Sequence, residues 1–211
     1  MARNFTYQAL TLRLKPSGES NREAWFLTAE DGILKATVFG GPKSRLRSHV
    51  APFHEGTLII YHDPVRDSRK VSDFDVQSWR PGLRELWERA MAADAVAETI
   101  LYSQGGGGNW SGALKLSGEV LDALSEADAA SCQAIALYFF WHWAHILGVR
   151  PDPSAYESNN GQLLLAKIEK LPLSTFVELC PDAESLEQAR VFSEAVLARV
   201  FGKKLSTWNE I

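Results

Sequence analysis

The spacing of apolar residues changes at Arg80-Pro-Gly, and this change limits the possible folds more than any other feature of the chain. Before it, apolar residues tend to alternate with polar ones, so that Leu10, Leu12 and Leu14 are predicted to share one face of an extended segment. After it, apolar residues recur with the period of an α-helix. The sequence therefore predicts an α+β protein, with a β-rich domain up to Arg80 and an all-α domain after it.

Five segments before Arg80 have the composition of short strands. They are separated by turn-forming sequences such as Asp31-Gly32, a dipeptide that favours a two-residue hairpin loop. Several short strands with closely spaced turns are typical of a small barrel or sandwich rather than of a βαβ unit. An OB-fold-like five-stranded barrel is the first choice. The predicted strands are residues 5–14, 23–28, 33–39, 57–62 and 70–79.

The second domain is predicted to be all-α. Its core helix, at about residues 128–148, is apolar on nearly every side, which is typical of a helix at the centre of a core. Gly105–Gly108 is interpreted as a surface loop, because the Lys-Ser/Thr that closes a phosphate-binding loop does not follow it. Residues 205–211 are predicted to be a frayed tail. Other predicted elements are helices at 83–101, 113–125 and 184–201 and an apolar piece at 163–176.

Charge is divided unequally between the two predicted domains. Residues 1–80 contain 12 Lys and Arg and 9 Asp and Glu, a net charge of +3. Residues 81–211 contain 10 and 17, a net charge of −7, which together give the −4 of the whole chain. The acidic total argues against a protein that coats nucleic acid over its entire surface, and it directs attention to the first domain.

The basic residues of the first domain are densest in the segment 40–49, which is predicted to be neither helix nor strand. Lys43, Arg45 and Arg47 follow a Gly-Gly-Pro break there, and no carboxylate lies between residues 32 and 54. Clustered cations without acidic neighbours fit contact with phosphates, although a solvated basic loop is the alternative.

Further cations would extend this basic segment if the first hairpin lies beside it. Trp25 or Phe39 could then stack on bases, although single aromatic residues in a small barrel more often belong to the core. The additional candidate residues for DNA binding are Arg13, Lys15, Arg22 and Lys35.

Sequence signatures of common enzymes and metal sites are missing. The chain contains no Gly-x-Ser-x-Gly, His-Glu-x-x-His or dinucleotide-binding motif. Cys132 and Cys180 lack metal-ligand spacing, and His142 and His145 have no acidic or Cys neighbours in the preceding turns, so they are interpreted as satisfied core or interface histidines. We therefore expect neither an enzyme nor a metal or cofactor site, and the pair His62-Asp63 is interpreted as solvated turn residues.

Targeting signals are also missing from the sequence. The first residues lack the apolar run of a signal peptide, and no segment is apolar enough over its length to cross a membrane. The expected location is the reducing cytoplasm.

Three blocks of the first 80 residues, in order, resemble the N-terminal domain of the bacterial RecO family of recombination mediators. They are Leu10–Glu23, Leu27–Ala36, and Gly41–Arg47 with Pro52-Phe53 a few residues later. In that family an OB fold precedes a helical domain, and Ile146-Leu-Gly-Val-Arg-Pro is similar to the family's Leu-Gly-x-x-Pro pattern. Many relatives continue with a four-cysteine zinc module. This chain has Ser154 and Ala155 near the position of the first cysteine, so no zinc site is expected.

The resemblance implies a non-enzymatic role in DNA repair and recombination. Such a protein would bind single- and double-stranded DNA at the nucleoid and anneal strands coated by single-strand-binding protein. With RecR it would help to load RecA. By similarity Lys43, Arg45 and Arg47 would contact phosphates, and an apolar groove with basic edges in the helical domain would receive the acidic, hydrophobic C-terminal tail of single-strand-binding protein.

Two other functions stay open on the sequence alone. One is a protein-interaction adaptor whose OB-like barrel has little DNA affinity, which the modest +3 charge of the first domain suggests. The other is an uncharacterised enzyme, which would require a deep polar pocket with perturbed carboxylates.

Overall fold

A computed structural model describes residues 4–40, 44–103, 108–152 and 159–207. Contacts between Cα atoms divide the chain into two compact units. The barrel unit comprises residues 1–80 and 108–118, and the helical unit comprises residues 81–107 and 119–211.

Five strands form a closed barrel in the order β1-β2-β3-β5-β4. Neighbouring strands are antiparallel except β3 and β5, which are parallel and paired at Thr37 and Lys70. This arrangement confirms the predicted α+β class and its five-stranded, OB-fold-like barrel. The strands are β1 (Asn4–Ser17), β2 (Asn21–Thr28), β3 (Gly32–Val38), β4 (Glu55–Asp63) and β5 (Ser68–Ser78).

A β-bulge in β1 changes which of its side chains face the barrel core. The register with β2 shifts between Thr11 and Arg13, and Leu14 packs against the same buried cluster as Ala9. An extra residue in one strand reverses the alternation beyond it. Leu10 and Leu14 therefore do not share a face, and the prediction from simple alternation is wrong there.

A short helix, α1 (Arg45–His49), lies in the connection from β3 to β4. The prediction that this segment is neither helix nor strand is wrong for these five residues. Leu46 packs against the barrel core and Val50, four residues later, is fully buried in it. Residues four apart lie on one helix face, so burial of Leu46 and Val50 stabilises a turn of helix that the local sequence does not predict.

The most buried helix of the helical unit is α4 (Ala129–Ile146). Phe139, Phe140, Trp141 and Trp143 of this helix are all buried. The predicted helix at 83–101 begins later, because a 3₁₀ turn occupies Pro81–Arg84 and the α-helix starts at Trp87. The other helices are α2 (Trp87–Tyr102), α3 (Trp110–Glu126), α5 (Asn160–Ile168), α6 (Leu173–Glu178) and α7 (Ala183–Phe201). Among the described residues, none of the helices has both the length and the hydropathy needed to span a bilayer.

The segment after α7 is attached to α2 as far as it is described. Leu205 is buried, and the backbone N–H and hydroxyl groups of Ser206 and Thr207 donate hydrogen bonds to the carboxylate of Glu98 at 2.5–3.1 Å. The prediction of a frayed tail is therefore wrong for residues 205–207, whereas residues 208–211 lie outside the described part. Residues 105–107 of the glycine loop and the positions Ser154 and Ala155 also lie outside it.

The first residues of α3 belong to the barrel unit because they pack on it. The Trp110 ring lies directly on Gly32, whose φ of +70° and lack of a Cβ both suit this contact. The buried guanidinium of Arg80 donates to Glu55 at 2.6 Å and to the Gly118 carbonyl at 3.3 Å. Residues 108–118 are thus held to the barrel at two places.

Candidate nucleic-acid interface

Arg13, Trp25 and Lys35 form a row across β1, β2 and β3. The strand register pairs Arg13 with Trp25 and Trp25 with Lys35. Directly opposite residues in an antiparallel sheet project from the same face, so these three side chains are neighbours on the outside of the barrel. Both cations are exposed and the tryptophan between them is half-buried. The row presents an aromatic ring flanked by positive charge.

Two ammonium groups lie against the Trp25 ring. The Nζ atoms of Lys15 and Lys35 are 5.5 and 5.2 Å from its centroid, within the range of a cation–π interaction. Lys35 also forms an ion pair of 2.8 Å with Glu23, the residue that pairs with Lys15 in the strand register. We call Arg13, Lys15, Trp25 and Lys35 the Trp25 row. Its surface is basic and aromatic, with one carboxylate inside it.

A second group of cations surrounds α1. The Arg22 guanidinium donates a hydrogen bond of 2.7 Å to the Arg47 carbonyl. Burial, and then the positive charge of Arg47, lower the pKa of the Arg22 guanidinium below its ordinary value. Arginine stays charged in proteins, so two cations repel each other here. A bound anion would relieve this repulsion.

Arg45, also on α1, already has an anionic partner. Its Nη2 atom lies 2.8 and 3.1 Å from the two carboxylate oxygens of Asp73 on β5. The hydrogen bond from Arg45 holds the pKa of the Asp73 carboxyl below its ordinary value, although burial opposes this shift. The two side chains are 65% and 46% exposed, and exposed ion pairs contribute only about 0–1 kcal/mol. A phosphate could therefore compete for Arg45 at little cost.

The structure regroups the residues that the sequence nominated. Arg13, Lys15 and Lys35 come together around Trp25, whereas Arg22 joins Arg45 and Arg47 instead of the other strand cations. We call Arg22, Arg45 and Arg47 the α1 cluster. The remaining candidate, Lys43, lies outside the described residues.

Lys70, which the sequence interpretation did not nominate, also lies beside an exposed aromatic ring. Its Nζ atom lies 5.2 Å from the centroid of Phe39, a ring that is 44% exposed just after β3. Lys70 reaches this place because β5 closes the barrel by pairing with β3 at Thr37. A parallel pairing between strands distant in sequence leaves no local signal from which it could have been found.

Histidines, cysteines and carboxylates do not gather into a metal site in the described residues. No group of three or more potential metal ligands occurs in that part of the chain. His62 lies 3.3 Å from Asp67 in the β4–β5 turn, at the surface. His142 packs 4.3 Å from the Tyr138 ring and its Nε2 lies 3.2 Å from the Ile168 carbonyl, and burial lowers its pKa. His145 is exposed.

Comparison with known proteins points to one family. Residues 1–77 match the family described as "Recombination protein O N terminal". Over 104 residues the chain is 28% identical to a curated relative, the DNA repair protein RecO of Acaryochloris marina (strain MBIC 11017). That match covers 48% of this chain and 35% of the relative, so the aligned region is about a third of the relative's length. The N-terminal barrel is therefore similar to the N-terminal domain of the RecO family.

Proposed function

We propose that the barrel unit binds the backbone and bases of DNA, and that the protein acts in DNA repair and recombination without catalysing a reaction itself. The observation that carries this proposal is the Trp25 row, in which one half-buried indole is bordered by Arg13, Lys15 and Lys35. Each Lys or Arg that neutralises a phosphate releases condensed counterions, and an aromatic face stacks on any base.

DNA binding at the Trp25 row would be an exchange of contacts. The two ammonium groups that now cover the Trp25 ring would move to phosphates, and a base would take their place on the indole. Stacking on an aromatic side chain contributes about 1–3 kcal/mol per base, which is comparable with the roughly 1–2 kcal/mol of the two exposed cation–π contacts that are given up. The exchange is favourable for single strands, whose bases are accessible, because the two ammonium groups also gain contacts with phosphates. Duplex DNA would use the cations of the row and of the α1 cluster without the stacking.

The proposals for strand annealing and RecA loading are supported by the resemblance to the RecO family. We propose that the protein anneals complementary strands coated by single-strand-binding protein and, with RecR, assists RecA loading. For the acidic tail of single-strand-binding protein we favour a groove of about 470 Å³ between α5 and the start of α7, which we call the Lys167 groove. Exposed Leu163 and Leu179 line it, and Lys167 stands at its edge to receive a carboxylate.

The adaptor function is the second candidate, and internal ion pairs favour it. Glu23 and Asp73 already neutralise Lys35 and Arg45 in part. A barrel whose cations prefer these partners would bind DNA weakly and would act through protein contacts alone.

Anisotropy of a labelled single-stranded oligonucleotide, titrated at several salt concentrations, tests the proposal. We expect Arg13→Ala with Lys35→Ala to weaken binding about tenfold or more and to reduce the slope of log K against log salt by about 0.7 for each phosphate that the protein no longer neutralises. Arg84→Ala with Arg199→Ala is the matched control, because it removes two exposed cations of the helical unit. Equal effects of the two double variants would overturn the assignment of the site.

The same titration separates the two candidate functions. If the wild-type protein fails to bind DNA at low salt but still captures a peptide with the sequence of the acidic tail, the adaptor is the correct function. Salt-sensitive DNA binding by the wild-type protein supports the mediator.

A further inference from the structure

A groove of about 440 Å³ lies within the helical unit between α3, α4 and α6. Ile135 and Leu173 are buried at its base, and Ala123 and Val177 are half-buried along its sides. Its apolar lining is open to solvent and is large enough for a few side chains.

Three exposed glutamates stand around this groove, which we call the acidic groove. Glu119 and Glu126 lie with Ala123 on one face of α3, and Glu178 ends α6. None of the three forms an ion pair with another of the described residues. Because α3 and α6 end at Glu126 and Glu178, the partial negative charge of two helix C-termini adds to these carboxylates.

Positive groups near the groove are already occupied. The N-terminus of α4 is capped by Asp128, whose side chain accepts a hydrogen bond from the Ser131 N–H. The Arg89 guanidinium donates to the Ala127 carbonyl at 2.6 Å, and its side chain is mostly buried and paired with Glu85. The field that a ligand meets at this groove is therefore negative.

We propose that the acidic groove docks a basic amphipathic segment of a partner protein. A helix with apolar side chains at positions i and i+4 would place them over Ile135 and Leu173, in the manner of helix-in-groove recognition. Lysine or arginine residues on its flanks would pair with the glutamates. Charge complementarity selects this occupant, because a phosphate backbone or an acidic tail would be repelled by all three carboxylates.

Two grooves of opposite character follow from this assignment. The Lys167 groove presents a cation beside leucines, and the one carboxylate among the described residues of its lining, Asp182, already accepts hydrogen bonds from Ser185. The acidic groove instead presents carboxylates beside alanine, valine and isoleucine. A basic segment and an acidic tail would therefore bind to the helical unit without competing, and the acidic groove does not depend on whether the barrel binds DNA.

Fluorescence anisotropy with two designed peptides tests the proposal on the full chain. Both are amphipathic helices with the same leucine spacing, one with lysine and the other with glutamate on its flanks. We expect the lysine peptide to bind more tightly than the glutamate peptide by about tenfold or more at low salt, and the difference to shrink as salt is added.

Charge-reversal variants locate the binding. Glu126→Lys with Glu178→Lys should weaken the lysine peptide about tenfold, whereas Glu19→Lys with Asp75→Lys, which reverses two exposed carboxylates of the barrel unit, should change it less than about twofold. Ala123→Gln, which fills the groove without altering charge, should weaken both peptides. Circular dichroism of each variant establishes that it is folded.

Three outcomes would overturn the proposal. The first is equal binding of the two peptides, and the second is an equal effect of the two charge-reversal pairs. The third is that the lysine peptide does not bind, while the protein self-associates as its concentration rises and Glu126→Lys with Glu178→Lys abolishes this self-association. The last result would identify a second copy of this chain as the occupant.

Discussion

At the scale of single residues, the cations of the proposed DNA interface differ in how much of their charge is already engaged. Arg47 is exposed and its backbone carbonyl accepts from Arg22, whereas Arg45 is bound to both oxygens of Asp73. DNA must displace that carboxylate before it can use Arg45. The internal pair therefore lowers the affinity for DNA modestly, by up to about 1 kcal/mol for an exposed ion pair, and the sequence alone does not reveal it.

Asp73→Asn should raise the affinity for single-stranded DNA about three- to tenfold at low salt, because it frees Arg45 and removes a negative charge beside it. Anisotropy titration measures the change. Asp75→Asn is the matched control, since Asp75 lies two residues away on β5 and is more exposed. If both variants gain equally, the effect is one of general charge and Arg45 has no special part in it.

Trp25→Ala should weaken single-stranded DNA binding by about 1–3 kcal/mol and duplex DNA binding much less, because only accessible bases can stack on the indole. Trp25→Phe should recover most of the loss. Thermal unfolding of both variants monitors stability, since Trp25 is half-buried. A loss of the same size for single-stranded and duplex DNA would contradict the stacking role.

The sequence nominates candidate cations for DNA binding, but it does not show how they group on the folded barrel. The sequence suggests that Arg22 extends the basic segment 40–49 if the first hairpin lies beside it, and in the structure Arg22 contacts α1 there, whereas no sequence signal points to Lys70. Both positions depend on how distant strands close the barrel. Local periodicity carries no information about that closure, whereas it does locate the strands themselves.

At the scale of elements, the predictions of secondary structure were wrong for short segments that tertiary contacts hold in place. The helix α1 has only five residues, too few for a helical period to show in the sequence, and the side chain of its N-cap residue Ser44 makes no capping hydrogen bond. The segment at residues 205–207 is polar apart from Leu205, but it is held by Glu98 of α2. The long helix α4 was predictable because its nearly continuous run of apolar residues is typical of a helix at the centre of a core.

Glu98→Gln should destabilise the protein near neutral pH by about 1 kcal/mol or more, after allowance for the partial exposure of the group. An amide oxygen cannot accept all of the hydrogen bonds that Ser206 and Thr207 donate to the carboxylate. Differential scanning calorimetry gives the shift in Tm. Glu88→Gln, on the first turn of the same helix, is the control.

The pH dependence of this effect has a definite sign. Burial alone would raise the pKa of Glu98, but the hydrogen bonds from Ser206 and Thr207 lower it to about 2, below the ordinary 4.5 of a glutamate. A depressed pKa in the folded state means that the stabilisation is complete above pH 4.5 and is lost as the pH falls towards 2. The difference in Tm between wild type and Glu98→Gln should therefore shrink across that window. A constant difference would show that the carboxylate charge is not what holds the segment.

At the scale of the whole molecule, the chain leaves the barrel unit at Arg80 and returns to it at residues 108–118. The change of sequence period at Arg80 predicted a boundary there. It does not predict that the chain returns to the barrel unit, since residues 110–118 are helical like the segment that precedes them. The contacts of Trp110 with Gly32 and of Gly118 with Arg80 belong to the barrel unit nevertheless.

A fragment of residues 1–80 should be less stable than the same barrel in the full chain, because it lacks Trp110 and the Gly118 carbonyl. Hydrogen exchange of β2 and β3 amides, followed by mass spectrometry, measures the difference. Trp110→Ala in the full chain should lower protection around Gly32 in the same direction. Equal protection in the fragment and the full chain would contradict this dependence.

The parallel pairing of β3 with β5 is the shortest strand pairing of the barrel in the part of the chain that the structure describes. Its register contains the single pair Thr37 and Lys70 among the described residues, whereas each antiparallel neighbour is joined along several pairs. Phe39, Lys70 and the bond from Arg45 to Asp73 all lie along this seam. A polyanion that binds those cations would bridge β3 and β5. Part of the binding free energy would then be used to order this strand pair, and the strand pair would open less often in the complex than in the free protein.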